Sequence, residues 1–169
     1  MSLSQKAALA KTAALMGALM IAATPVLADT NPLAGAWTLV AADIVKPDGT
    51  RAHDYGDAPD GLLLITGDGH YEVQIYDTSR PHFAAGDKAK GTAAEYTAAV
   101  MGASIHYGTL DVDPVAHTMT LHMVRSSYPN QEGTQQVRIY ELDGDMLSYR
   151  IPPRPDGSVP ISVWRRVSQ

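Results

Sequence analysis

The sequence predicts an all-β protein, an eight-stranded antiparallel up-and-down barrel with one short helix between strands 3 and 4. Two observations lead to this fold class. Short β-rich or alternating runs recur along residues 29–169, and turn residues separate them at close spacing, which is typical of antiparallel hairpins. Eight such strands in one chain are expected to close into a barrel, because closure removes the exposed strand edges.

The strand pattern is clearest at residues 118–124. There Met119, Leu121 and Met123 alternate with polar residues, which is the two-residue period of a strand with unlike faces. Turns are indicated by Pro-Asp-Gly at 47–49, Gly-Asp-Gly at 67–69, Asp-Pro at 113–114, Asp-Gly-Asp at 143–145 and Asp-Gly at 156–157. The eight predicted strands are residues 37–42, 61–66, 71–76, 104–112, 118–124, 134–142, 146–150 and 161–167.

One segment, residues 92–101, interrupts the strands and favours a helix. Thr92 and Glu95 have the spacing of a capping box, and alanines at 93, 94, 98 and 99 favour helix. The loop that precedes it, residues 79–91, is too long for a tight hairpin. The insertion could therefore be a lid over one end of the barrel or a plug that packs against its bottom.

The first 28 residues have the pattern of a signal peptide. Lys6 and Lys11 precede an apolar run at 12–23, Pro25 breaks it, and Val26-Leu27-Ala28 offers small residues for cleavage before Asp29. The apolar run is shorter than the ~20 residues of a membrane span. We therefore expect a periplasmic or secreted protein with no stable membrane insertion after cleavage.

Composition limits the remaining chain, residues 29–169, to one domain and excludes several classes of site. Removing residues 1–28, which carry two lysines and no acid, takes the net charge from −5 to −7. A nucleic-acid partner is not expected, because it requires clustered Lys and Arg. The absence of cysteine excludes thiol catalysis, thiolate metal sites and disulfides.

Particular stretches of the chain resemble the bacterial lipocalin-like domain family of small one-domain β-barrels. Gly35-Ala36-Trp37 is similar to the Gly-x-Trp opening of lipocalins, and residues 163–167 are similar to their closing strand with its Arg. Residues 67–75, 80–87, 106–113 and 128–138 also resemble the family. The resemblance implies that Trp37 packs at the closed end beneath Arg165 or Arg166 in a cation–π contact. It implies a fold more than an activity.

Two strands carry polar residues that could line a cavity. In residues 134–142, Gln136, Arg138 and Tyr140 share one face. If that face is inside, Arg138 is a buried cation that needs an anionic partner or ligand, and its guanidinium could bind a carboxylate or enolate. If it is outside, Arg138 is an ordinary solvated side chain. In residues 71–76, Gln74 and Tyr76 likewise share a face that could point either way.

His122 and Tyr107 are the candidates for acid or base chemistry. His122 lies on the polar face of its predicted strand, and His106 and Tyr107 lie in the strand before it. A neutral imidazole beside a phenol would suit proton transfer or hydrogen bonding to a carbonyl ligand, although such a histidine is more often a surface or structurally satisfied residue. Nucleophile-elbow, phosphate-loop, dinucleotide and paired-His metal patterns are absent, so no cofactor or metal is expected.

These observations leave three functions open. The first is an exported barrel that holds a mainly apolar small molecule with one polar or acidic group, bound by Gln74, Tyr76, Tyr107, His122, Arg138 and Tyr140. The second is a cofactor-free isomerase, cyclase or hydratase that uses the barrel as a reaction chamber, although no motif demands catalysis. The third is a structural or partner-binding barrel with a filled core. Neither the ligand nor the oligomeric state follows from the sequence.

Overall fold

The computed structural model describes residues 31–168. The predicted signal peptide and its cleavage site lie outside these residues. No helix within the described range is long and apolar enough to cross a membrane. The elements are β1 (Gly35–Val45), β2 (Arg51–His53), β3 (Asp60–Ile65), β4 (His70–Tyr76), α1 (Ala93–Met101), β5 (Ala103–Asp113), β6 (Thr118–Ser126), β7 (Gln135–Asp143), β8 (Met146–Arg150) and β9 (Val159–Arg166).

Eight of the strands form a closed antiparallel barrel. Strands β3 to β9 pair in chain order, and β1 pairs with β3 on one side and with β9 on the other. The closure is long, running from Trp37 opposite Arg166 to Val45 opposite Val159. The predicted all-β barrel with one short helix is thus confirmed in its architecture.

The predicted place of the helix is wrong by one strand. Helix α1 follows β4 and precedes β5, whereas the sequence placed it between strands 3 and 4. The difference arises from β2, which was not predicted. This strand is only three residues long and pairs with the end of β1, from Asp43 to Val45, so it has no alternating pattern of its own to reveal it.

Helix α1 begins as the sequence predicts. The Thr92 side chain accepts from the backbone N–H of Glu95, and the Glu95 carboxylate accepts from the backbone N–H of Thr92, which completes a capping box. The helix has no buried residue. It lies between the end of β4 and the start of β5, at the end of the barrel opposite Trp37, so it is not a plug in the bottom.

The closed end of the barrel is built around Trp37. This side chain is fully buried, donates from Nε1 to the Leu33 carbonyl at 3.0 Å, and lies beneath the Arg166 guanidinium, 4.0 Å from its ring centroid. Of the two arginines considered, Arg166 therefore makes the contact; Arg165 is exposed. Gly35 has φ +139, and a Cβ there would lie 2.8 Å from the Arg166 guanidinium, so the close approach requires glycine.

Candidate ligand-binding site

A cavity of about 400 Å³ occupies the end of the barrel opposite Trp37. Strands contribute its wall because alternate residues point inward: Val73 and Ile75 from β4, and Ser104 and His106 from β5. Loops at the barrel end complete it. The side chains that matter to its chemistry are Asp43, Asp54, Tyr55, His106, Gln136, Arg138, Tyr149 and Arg154.

Arg138 lies at the inner end of the cavity and is only 3% exposed. Its Nε donates to the Gln136 side-chain carbonyl at 2.8 Å, and its Nη2 lies 3.4 Å from Nε2 of His106. The guanidinium lies over the Tyr149 ring, 4.9 Å from the centroid. Among residues 31–168, Arg138 forms no salt bridge with a carboxylate. It is therefore a buried cation without a counter-charge.

His106 connects Arg138 to Tyr71. The His106 ring is 3% exposed, and its Nδ1 lies 3.1 Å from the Tyr71 hydroxyl. Burial lowers the pKa of His106 to about 3, and the nearby Arg138 charge acts in the same direction. Burial also raises the pKa of Tyr71 to about 12. At neutral pH both side chains are uncharged, so Arg138 supplies the only charge of this trio.

The mouth of the cavity carries paired charges instead. Arg154 binds Asp54 through two hydrogen bonds of 2.9 and 2.5 Å, which join the loop after β8 to the segment after β2. This pairing raises the pKa of Arg154. Asp43 accepts from His53 at 3.0 Å, and Arg51 lies 3.8 Å away. The carboxylates that line the mouth therefore have cationic partners, whereas Arg138 has no acidic partner within residues 31–168.

Beneath Arg138 the barrel is filled. The space there is a void of about 10 Å³, lined by Leu63, Ile65, Tyr71, Val73, Leu110, Met119, Leu121, Arg138 and Tyr149. Arg138 and Tyr149 border both this void and the cavity. The Tyr149 hydroxyl is buried and has no hydrogen-bond partner among the described residues. The guanidinium thus marks the boundary between a packed half and a hollow half.

The comparison with family models decides which family this barrel represents. The model of the lipocalin-like domain matches residues 34–167, most of the chain. The chain belongs to the lipocalin-like domain family. Among solved structures, a chain titled REP1-NXSQ fatty acid transporter is similar at 13% identity with a TM-score of 0.37, covering 81% of this chain and 97% of that chain. No curated protein matches this chain.

Two of the predicted binding residues, Arg138 and Tyr140, face the interior of this lipocalin-like barrel. Arg138 lines the cavity together with Gln136, which the sequence placed on the same strand face. The inward alternative for the polar face of β7 therefore holds. Tyr140 points into the packed half, where its ring lies 5.8 Å from that of His117, and it does not line the cavity.

The inward facing considered for Gln74 and Tyr76 is wrong. Tyr71, Val73 and Ile75 fill the interior from β4, so the alternate residues lie on the outer surface. There the Gln74 amide donates to Glu72 at 2.6 Å, and the Tyr76 hydroxyl donates to Gln74 at 3.1 Å. The face of β4 that carries Tyr71, Val73 and Ile75 points inward because it buries more apolar surface than the opposite face does, and that burial stabilises the fold.

Tyr107 and His122 also lie outside the lipocalin-like barrel. Tyr107 is 48% exposed, and His122 contacts the exposed carboxylate of Asp111 at 2.7 Å. The Met119, Leu121 and Met123 face of β6 fills the interior. Neither side chain reaches the cavity, so the geometry does not support a role for either residue as an acid or base in a reaction chamber.

Sequence reasoning passed over His106 in favour of its neighbour Tyr107. The signal was present: Leu110 and Val112 share a strand face with His106, and apolar residues at that period indicate the inner face. Tyr55 and Arg154 were also missed. They lie in connecting segments, where no periodic pattern indicates facing. Residues 79–101 do not line the cavity, so the lid considered for this segment has no support from the geometry.

Proposed function

We propose that this barrel binds a small molecule with a mainly apolar body and one polar or acidic group, held in the cavity beside Arg138. The observation that carries the proposal is a guanidinium, 3% exposed, without an acidic partner in the described part of the chain. Burying an unpaired charge is costly unless something compensates it. A ligand that brings a polar or negative group to Arg138 supplies that compensation.

The size and walls of the cavity support the same proposal. Its volume of about 400 Å³ falls within the ~300–1,000 Å³ common for ligand pockets. Val73, Ile75, Ile151 and Ile161 provide apolar wall between Arg138 and Gln136 at the inner end and the charged pairs at the mouth. Polar groups at fixed positions in a pocket set the orientation of a ligand, and apolar wall receives its body.

Binding is tested with the purified protein and an apolar anionic dye, anilinonaphthalene sulfonate. Native mass spectrometry should show a retained compound, and the dye should bind in the cavity with enhanced fluorescence. R138M should weaken dye binding roughly 10- to 100-fold, the effect of losing a charge-assisted hydrogen bond. R150M, which removes an exposed arginine of β8, is the matched control and should bind like the wild type. Equal affinity of R138M and R150M would refute the proposal.

We also propose that the barrel works in the periplasm or outside the cell. The support is the basic region, apolar run and small-residue cleavage pattern of residues 1–28. Expression of the full chain in a bacterial host should yield a protein that begins at Asp29 and fractionates outside the cytoplasm. N-terminal sequencing of each fraction tests this, and an intact N-terminus on cytoplasmic protein would contradict it.

A further inference from the structure

We propose that the polar group of the ligand is a carboxylate, and that His106 and Gln136 orient Arg138 to receive it. This inference rests on the proposed function and specifies its ligand class. It follows from the direction of each hydrogen bond at the inner end of the cavity. A binding site selects the group whose donors and acceptors complement those that the protein leaves free.

The side-chain oxygen of Gln136 already accepts a hydrogen bond from Arg138. Arginine can only donate, so the 2.8 Å contact has Nε of Arg138 donating to Oε1 of Gln136. The amide nitrogen of Gln136 is the group that remains, and an amide nitrogen donates. Gln136 is a cavity-lining residue, so at this position the cavity wall offers a donor.

The protons on His106 follow from the same donor and acceptor roles. Nε2 must accept from Nη2 of Arg138, because the guanidinium has no lone pair to offer. The proton of the neutral imidazole is then on Nδ1, which donates to the Tyr71 oxygen at 3.1 Å. The single acceptor of the ring is therefore occupied by Arg138, and His106 holds the guanidinium in place rather than contacting the ligand.

The groups that remain free near Arg138 are N–H donors: Nη1 of Arg138 and the amide nitrogen of Gln136 form no hydrogen bond within residues 31–168. The acceptors beside the guanidinium, Oε1 of Gln136 and Nε2 of His106, already receive hydrogen bonds from it, and the carboxylates at the mouth are paired with Arg154 and Arg51. An ammonium group would also meet the Arg138 charge without compensation. The free groups therefore complement an acceptor that carries negative charge.

A carboxylate fits this arrangement better than other acceptors do. Its two coplanar oxygens match adjacent N–H groups of a guanidinium, and its single charge balances that of Arg138, which has no acidic partner within residues 31–168. A phosphate monoester would bring close to two negative charges to one arginine. An amide or alcohol would leave the buried cation without a counter-charge.

The experiment compares ligands that share an alkyl chain and differ in the head group. Decanoate, decanamide, 1-decanol, decylamine and decyl phosphate are titrated into the wild-type barrel at pH 7 by calorimetry. We expect decanoate to bind at least ~10-fold more tightly than each of the others, since a charge-assisted bond exceeds a neutral one. Equal or tighter binding of any other compound would overturn the carboxylate assignment alone. Binding of none of the five would overturn the proposed function.

The positioning role of His106 has its own readout, the ratio of decanoate to decanamide affinity. H106L removes the acceptor for Nη2 and should lower this ratio several-fold, whereas H106Q retains a side-chain carbonyl and should restore part of it. Y107F, on the outer face of the same strand, is the matched control and should leave the ratio unchanged. An unchanged ratio in H106L would remove His106 from the site, and the wild-type titrations test the carboxylate independently of any variant.

Discussion

The two halves of the barrel are built on opposite principles. Around Trp37 and Trp164, both fully buried, the interior is filled by apolar side chains down to a void of about 10 Å³. Around Arg138 the same strands enclose a cavity of about 400 Å³ with polar groups on its wall. One half gains stability from packing, whereas the other gives up packing and buries a charge.

This contrast indicates where stability and binding lie in the chain. Strand β7 contributes to both halves: Tyr140 belongs to the filled region, and Arg138, two residues away, borders the cavity. A substitution should therefore affect mainly stability or mainly binding according to its height along the barrel axis. Substitutions placed in each half of the barrel test that division.

Truncation of Trp164 should cause the largest loss of stability. Its side chain is fully buried and stacks on Tyr149 with centroids 6.4 Å apart. W164A should lower the free energy of unfolding by about 3–5 kcal/mol, the usual cost of a large cavity. W164F is the matched control and should cost much less, because the Trp164 Nε1 has no hydrogen-bond partner to lose among residues 31–168. Urea denaturation of both variants measures the difference, and similar small losses would contradict a packed closed half.

Acidification should destabilise the protein through His106 in the open half. Its pKa is about 3 in the folded state and 6.5 as a free side chain, so between these values only the unfolded chain binds the proton. Stability should therefore fall as the pH falls through this window, by about 3 kcal/mol between pH 7 and pH 4 from this residue alone. The difference in unfolding free energy between wild type and H106Q should change by that amount. A difference independent of pH would disprove the buried, neutral histidine.

Replacing Arg138 should leave the fold intact even where it removes ligand binding. An apolar side chain of similar volume avoids the cost of burying a cation, so R138M should be as stable as the wild type or about 1 kcal/mol more stable. The exposed control R150M should change stability by less than ~0.5 kcal/mol. Thermal denaturation without ligand checks both. A loss above about 2 kcal/mol in R138M would mean that the guanidinium serves stability rather than binding.

The smallest effect is expected at the mouth, from the ion pair of Arg154 and Asp54. The Arg154 side chain is 41% exposed and that of Asp54 is 15% exposed, so solvent screens their attraction. A double-mutant cycle with R154M and D54N should give a coupling of about 0.5–1 kcal/mol that decreases in high salt. Coupling that is large and independent of salt would show instead that the mouth is as tightly built as the closed end.

The fold followed from the sequence because its signals are local. Alternation of Met119, Leu121 and Met123, and turns such as 67–69, depend on neighbouring residues only. The capping box at Thr92 and Glu95 is equally local and is present in the structure. Strand β2 was missed because its three residues are ordered by pairing with β1, and that pairing has no signature within residues 51–53.

The location of the site depends on which face of each strand points inward, and the sequence leaves this open. A two-residue period shows that Gln136, Arg138 and Tyr140 share one face, and that Gln74 shares a face with Tyr76, but it does not say which face points inward. On β4 and β6 the apolar face of the strand points into the interior. On β7 the polar face turns inward, with Val137 and Ile139 left exposed.

The sequence by itself determined the eight strands of the barrel, their order and the residues that share each face. The tertiary structure alone decided that β7 places a cation inside, that His106 rather than His122 accompanies it, and that the cavity stops at Arg138. The physical reason is that two things depend on the summed volume and polarity of the side chains from all strands of the closed barrel: which face of a strand points inward, and how much of the interior is filled. No single strand carries that information.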